Sequence, residues 1–364
     1  MVVPGEIQRI LAAARRENAS DIHIVAGLPP LFRIGGEIIL TALPPLERED
    51  TKRLCYSLLN EEQKKVFERD WQLCCSVFDE KLGRFRVSVY YRLGNPEMAI
   101  RSIMEHIKTR TELRLPEQIE DLTRLSSGLV LITGPTGTGK TTTMNYMVDL
   151  INSERRCKII AIEDPVEYVH HPKKAVIIQQ ELYTDVKSFG SALIHVLRQD
   201  PDVICIGEMR DLDTTATALL AAETGHLVIA TCHTPSIVQT AERIVSIFPE
   251  NQQSQIYAQL ASSLQGVIAQ QLVPSADKKR RILATEFLLV NHAARKHIHD
   301  RELNMLVDVM QMGRKSGMHL MDDSLMELYE AGEIIYETAI NSSYHPLEMR
   351  KKIRQQAGPS EEGK

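Results

Sequence analysis

The chain has 364 residues, 43% of them apolar and 25% charged, with a formal net charge of −5 at pH 7. That length holds two or three domains with their own cores. The acidic balance excludes a globally attractive surface for nucleic acid or an anionic membrane. No run approaches the roughly 18 apolar residues that read as a membrane span. The first residues, MVVPGEIQRILAAARREN, lack the charged start and continuous apolar core of a secretory signal. These observations predict a cytoplasmic globular protein. Six cysteines, at 55, 74, 75, 157, 205 and 232, are scattered without a C-x-x-C pair. Buried reduced thiols are therefore expected in place of disulfides or zinc.

In chain order, Ile7, Ile10, Leu11 and Ala14 have the spacing of one helical face. DIHIV (21–25) alternates like a strand, and LFRIGGEIIL (31–40) reads as a hairpin around Gly35-Gly36. A helical segment follows Glu47, with short strands near 73–78 and 84–91. These elements predict a first α/β domain over 1–104. EHIKTRTE (105–112) is polar and aperiodic and reads as a linker. The remainder, 113–364, alternates apolar strands with helices. The strands are expected at 129–133, 158–163, 176–179, 203–207, 227–231, 266–273 and 282–290. Several are apolar on both faces, as in a mostly parallel sheet covered on both sides. Helices near 303–312 and 321–331 close the fold, and the polar tail after about 345 is expected to fray. No 20–50-residue repeat is present.

Gly134-Pro135-Thr136-Gly137-Thr138-Gly139-Lys140-Thr141 matches G-x-x-x-x-G-K-S/T, and Thr142 follows. Its context, between a buried strand and a helix, is the one a phosphate-binding loop needs. Backbone N–H groups and the helix N-terminus favour phosphate oxygens. Lys140 would reach the β- and γ-phosphates of a nucleoside triphosphate, and Thr141 would offer its hydroxyl to Mg²⁺. Two acidic stretches end strands: IIAIEDPVEY carries Glu163, and VICIGEMRD carries Glu208. Ligands of open parallel sheets bind beyond the strands' carboxyl ends. Hydrolysis needs one carboxylate near Mg²⁺ and one that orients water; Thr141, Glu208 and Glu163 are the candidate Mg²⁺ ligands. Arg210, two residues after Glu208, is grouped with the catalytic candidates.

GHLVIATCHT places His226 before a strand and His233 after it. Seven strand residues separate them by about 23 Å and point them to opposite faces, which excludes a shared metal. His233 lies at the phosphate end; His226 has a structural histidine as an equal alternative. Arg86, Arg92 and Arg101 lie in the first domain, where spacing alone leaves them as exposed arginines on strands.

Together these stretches resemble the secretion ATPases of type IV pili and type II secretion, on the pilus-retraction side. ASDIHIVAGLPPLFRIGGEI (19–38), GPTGTGKTT, AIEDPVEYVH (161–170), RQDPDVICIGEMRD (198–211) and ETGHLVIATCHT (223–234) carry the resemblance, which covers nearly the whole chain. It implies a PAS-like N-terminal domain, a RecA-like ATPase domain, ATP with Mg²⁺, and a homohexamer. It implies that Glu163 activates water, that Glu208 acts through Mg²⁺, and that His226 and His233 stay near the nucleotide. It makes Arg86 and Arg101 candidates to reach a nucleotide from the N-terminal domain. The expected partner is an inner-membrane pilus platform protein, with the ATPase peripheral at the membrane's cytoplasmic face and no nucleic acid bound. The longer relatives' tetracysteine site is missing, since no cysteine follows Cys232. AARKHIHD (293–300) departs from the usual A-I-R-N-L-I-R-E, and YYRLGNPEMA departs from the usual Gly- and Asn-rich turn.

Overall fold

A computed structural model describes residues 5–103, 107–278 and 280–356. These form two compact units. The first runs to residue 107 and also takes in 160–172 and 177–195; the second comprises 108–159, 173–176 and 196 onward.

The first unit opens with α1 (Gly5–Arg16), whose buried face is Ile7, Ile10, Leu11 and Ala14. A six-stranded sheet follows: β1 (Asp21–Ile24), β2 (Leu31–Ile34), β3 (Glu37–Leu40), β4 (Gln72–Asp79), β5 (Gly83–Arg92) and β6 (Asn95–Ser102), in the order β3-β2-β1-β6-β5-β4. The expected hairpin is present. Ile34 pairs with Glu37, and Gly35 and Gly36 have φ of +60° and +94°. Two successive positive φ values are what a two-residue primed turn needs and what glycine supplies without strain. The strand β3 is outermost, and all four of its residues are exposed. Between β3 and β4 lie α2 (Arg48–Ser57) and α3 (Glu61–Asp70). The start of α3 is fixed by a capping box in which the Asn60 side chain accepts from Gln63 N. Ile22, Ile24, Phe67, Phe85, Val87 and Ile100 are fully buried in this unit's core.

The central strand β6 was not expected. Its sequence, NPEMAIRS, holds a proline, which usually argues against an inner strand. Pro96 is tolerated because it stands at the strand's second residue, beside the two-residue turn Leu93-Gly94. Part of the expected linker, 105 and 106, lies outside the described residues. Within its remainder, Thr109 caps α4 (Arg110–Leu113) by accepting from Glu112 N.

The elements that follow are α5 (Ile119–Thr123), β7 (Gly128–Thr133), α6 (Lys140–Glu154), β8 (Lys158–Glu163), β9 (Val176–Glu181), α7 (Phe189–Val196), β10 (Val203–Ile206), α8 (Leu212–Glu223), β11 (Leu227–Cys232), α9 (Ile237–Ser246), α10 (Glu250–Ser263), β12 (Leu264–Pro274) and β13 (Arg281–Leu289). The second sheet has the order β13-β12-β7-β11-β10-β8-β9. Its pairs β7–β11, β10–β11 and β7–β12 are parallel, and β12–β13 is antiparallel. Every residue of β7, β10 and β11 is buried, which accounts for their apolar runs without alternation.

The chain ends in α11 (His292–His299), α12 (Leu306–Met312), α13 (Met321–Glu330), α14 (Tyr336–Ser342) and α15 (Pro346–Gln356). The last of these corrects the frayed tail expected after 345. Met349 and Ile353, at helical spacing, are buried in a cluster with Leu325, Ile334 and Ile340. Two apolar residues on one face are enough to dock a mostly charged helix. Residues 357–364 lie outside the described residues. All six cysteines are free.

Candidate active site

The parallel register sets the site. Thr133 ends β7 opposite Cys232 of β11 and Ala269 of β12, so Gly134 and His233 leave the sheet at one end, beside Gln270 of the continuing β12. Gly134 has φ +140°, and a Cβ there would lie 2.4 Å from the Gln270 carbonyl oxygen. Only glycine fits this close approach. Gly139, at φ +91°, is the N-cap of α6, and no side chain caps the helix. Its first N–H groups are thus left for an anion, as the motif requires.

Lys140 is buried, and its ammonium donates to the carbonyls of Gly134 at 2.7 Å and Pro135 at 2.9 Å, and lies 3.3 Å from His233 Nδ1. His233 Nε2 is 2.7 Å from Glu208 Oε1. An ammonium only donates and a carboxylate only accepts, so a neutral ring with its proton on Nε2 satisfies both contacts. Arg210 pairs with the other Glu208 oxygen. Burial alone would push the Glu208 carboxyl up; the bonds from Arg210 and His233 outweigh it and hold the group below its ordinary value. Burial draws Lys140 below the ordinary lysine value, against the attraction of Glu208. A row Lys140–His233–Glu208–Arg210 therefore lies beside the phosphate loop, with an ionised carboxylate at its centre. Thr141 and Thr142 open α6, and Thr138 Oγ1 donates to the Pro135 carbonyl at 2.9 Å.

His226 does not join this row. Leu227 pairs with Gly128, the first residue of β7, and Gly128 N donates to the His226 carbonyl. His226 is thus at the far end of the sheet, its Nδ1 3.1 Å from the Ala221 carbonyl. Its backbone N–H also donates to the Ala221 carbonyl, so it is held in the turn between α8 and β11.

Glu163 belongs to the first unit. It is 3% exposed; Oε1 accepts from Gln179 Nε2 at 2.9 Å, and Oε2 has no partner. Burial pushes its carboxyl up to about 7, with the Gln179 bond opposing and Glu167 and Glu181 adding. Gln179 was not among the expected site residues. Its amide also donates to the Tyr168 carbonyl at 2.7 Å and accepts from His170 N at 2.9 Å. These partners fix which way the amide faces. The available signal was a glutamine closing the apolar run VIIQ. In the same unit Arg86 and Arg101 sit directly opposite each other on β5 and β6. Each meets its own acid: Arg86 lies 3.1 Å from Glu167 and Arg101 lies 2.8 Å from Asp21. Arg92 instead holds the buried Glu97 at 2.8 Å.

Among the described residues, no group of three or more His, Cys, Asp or Glu side chains could hold a metal ion. Likewise, no helix among those described is long and apolar enough to cross a membrane.

The Type II/IV secretion system protein family matches residues 2–357. The type IV pilus retraction ATPase PilT of Pseudomonas aeruginosa is 38% identical over 92% of this chain and 97% of its own length. The type IV pilus ATPase PilU of the same organism is 36% identical over 96% and 91%. Among solved structures, the pilus retraction motor PilT with bound ADP superposes with a TM-score of 0.87 at 43% identity, covering 95% of this chain and 99% of that one. An ADP-bound relative of this likeness has the same P-loop fold, and the phosphate loop, its lysine and the ionised Glu208 are all in place here. The chain belongs to the type II/IV secretion ATPase family and is an ATP-hydrolysing P-loop ATPase of the PilT-like kind.

Proposed function

We propose that this chain is a homohexameric, Mg²⁺-dependent motor that retracts type IV pili through ATP-driven motion of its domains. It would act in the cytoplasm, at the inner face of the membrane, on an inner-membrane platform protein and without nucleic acid. The observation that carries the reading is the Lys140–His233–Glu208 row beside an uncapped helix N-terminus, in a chain that matches PilT over almost its full length.

Binding begins with exchange of partners. Lys140 leaves the Gly134 and Pro135 carbonyls for the β- and γ-phosphate oxygens, trading neutral acceptors for charged ones. His233 is the group next to it and reports the γ-phosphate. Thr141 and the ionised Glu208 would hold Mg²⁺, with Glu163 a further candidate; when bound, the ion neutralises charge on the phosphate oxygens. Glu163 is the proposed general base. Its free Oε2 takes the proton of the attacking water, and a carboxyl that burial places near 7 suits that task. Arg86 and Arg101, paired side by side, are proposed to complete a neighbouring subunit's site.

A second reading is that the chain is an accessory ATPase of the same machine, as the PilU match over 96% of this chain supports. Pilus assembly or type II secretion are the remaining alternatives. Pilus length in a deletion strain separates them. Hyperpiliated cells without twitching are the expected result. Bald cells would overturn retraction in favour of assembly, and normally piliated cells that still twitch would favour the accessory role.

A further inference from the structure

The turn after His233, Thr234–Ile237, carries no reacting group, yet side chains from several separate elements of the second unit hold it. Thr133, the residue before the phosphate loop, reaches Thr234 Oγ1 at 2.8 Å, and Thr240 of α9 reaches the same oxygen at 2.7 Å. The Tyr344 hydroxyl, between α14 and α15, donates to the Pro235 carbonyl. Glu286 of β13 is 3% exposed and accepts from Ile237 N. Tyr344 is itself anchored. Its N–H donates to Asp322 Oδ1 of α13 at 2.9 Å, and Asp322, also buried, accepts from His345 N at 3.2 Å. The Tyr344 ring packs on the cluster that docks α13, α14 and α15.

A lone buried glutamate is costly unless it does something its apolar neighbours cannot. Here it fixes the backbone of a turn one peptide away from His233. The histidine's own contacts, 3.3 Å to Lys140 and 2.7 Å to Glu208, depend on where that backbone sits.

We propose that Tyr344 and Glu286 form a clamp on the 234–237 turn that sets His233 against Lys140 and Glu208 and couples the C-terminal helices to ATP turnover. They are positioning residues: neither touches the phosphate loop. The inference rests on the reading of His233 as the γ-phosphate sensor. A load on α13–α15 that shifts Tyr344 would move the sensor without touching the nucleotide.

The test is Tyr344→Phe, which removes one hydroxyl and leaves the ring in its cluster, with Glu286→Gln and Glu286→Leu as a second pair. Gln can still accept from Ile237 N; Leu cannot. Thermal unfolding by circular dichroism establishes that each variant folds. Turnover in Tyr344→Phe should fall about three- to tenfold, the kinetic equivalent of one neutral hydrogen bond. KM for ATP should stay within about twofold. Glu286→Leu should show the same split and Glu286→Gln should restore most of the rate. In a His233→Ala background, Tyr344→Phe should have no further effect, because the clamp acts through that ring. The proposal is overturned if Tyr344→Phe keeps the parent rate, if KM moves in place of kcat, or if the loss persists undiminished without His233. A parent without any turnover would sink the motor reading on its own. The clamp would then be judged by hydrogen exchange of the 230–240 segment with a non-hydrolysable ATP analogue. Protection in the parent that is lost in Tyr344→Phe supports it, and equal protection overturns it.

Discussion

Glu286→Gln separates burial from charge at one position. Burial pushes the Glu286 carboxyl up to about 7 from an ordinary 4.5, the hydrogen bond from Ile237 N opposes this, and the Asp322 carboxylate adds to it. Tyr344 is the other titratable group beside it. Below about pH 4.5 the group is neutral whether the chain is folded or not, and it adds no slope. Between about 4.5 and 7 the unfolded chain releases the proton while the folded chain keeps it, so stability falls as pH rises. Above about 7 the loss is complete. The difference of about 2.5 units, at about 1.4 kcal/mol each, amounts to roughly 3 kcal/mol. Glutamine cannot ionise and lacks this slope. It places an NH₂ where Oε2 or Oε1 has stood, and one of those oxygens has no partner, a cost of about 1 kcal/mol. The variant should therefore be about as stable as the parent at pH 5, where the parent has already lost about 1 kcal/mol, and more stable at pH 8 by roughly 2 kcal/mol. Urea unfolding followed by far-UV circular dichroism, at fixed protein concentration, measures this. Fluorescence does not, since the chain's one tryptophan, Trp71, is in the first unit. A stability difference between parent and variant that is the same at pH 5 and pH 8 would refute the reasoning.

Three further outcomes are expected at the nucleotide site. Lys140→Ala should lose about 10³-fold or more in phosphate release while keeping its circular dichroism spectrum, because its ammonium meets only loop carbonyls and His233; near-parental turnover would remove the phosphate-loop assignment. Glu163→Gln should bind a fluorescent ATP analogue with Mg²⁺ yet turn over about 10²- to 10⁴-fold more slowly, as loss of a general base demands, and parental turnover would place the base elsewhere. Arg101→Ala and Glu163→Gln should each be inactive alone. Mixed after verified subunit exchange, they should regain activity at up to about a quarter of sites if the arginine acts across subunits; mixed rings no faster than either variant would count against Arg101 and move the test to Arg86.

The second unit was the more legible part of the sequence. Strands buried on both faces announce themselves as unbroken apolar runs, and glycines at 134, 137 and 139 announce the loop between β7 and α6 because no other residue suits those backbone angles. The first unit hid its central strand, since Pro96 and the charged Glu97 and Arg101 mask the β6 pattern; Glu97 is buried only because Arg92 and the Ala26 N–H meet it. Roles that depend on partners far along the chain were invisible. Gln179 is 16 residues from Glu163, and Tyr344 is 109 from Pro235. No local spacing encodes such contacts; they follow from tertiary packing. The separation of His226 from His233 was legible, because the strand between them carries the two histidines to opposite ends of the sheet.

The outermost strand of the first sheet has a practical consequence. Ile38, Ile39 and Leu40 are 48%, 46% and 60% exposed, and β3 has a neighbour on one side only, in β2. Such a strand offers its free backbone groups to any other extended chain, and β-branched residues without a proline between 37 and 43 favour that pairing. Glu37 is the one charge that discourages it. In concentrated solutions of the separate chain, sticking and fibrillar precipitation should start at β3, and a glutamate at position 38, which lies opposite Arg33 and on the other face from the Phe32–Ile39 pair, should raise solubility without disturbing the core.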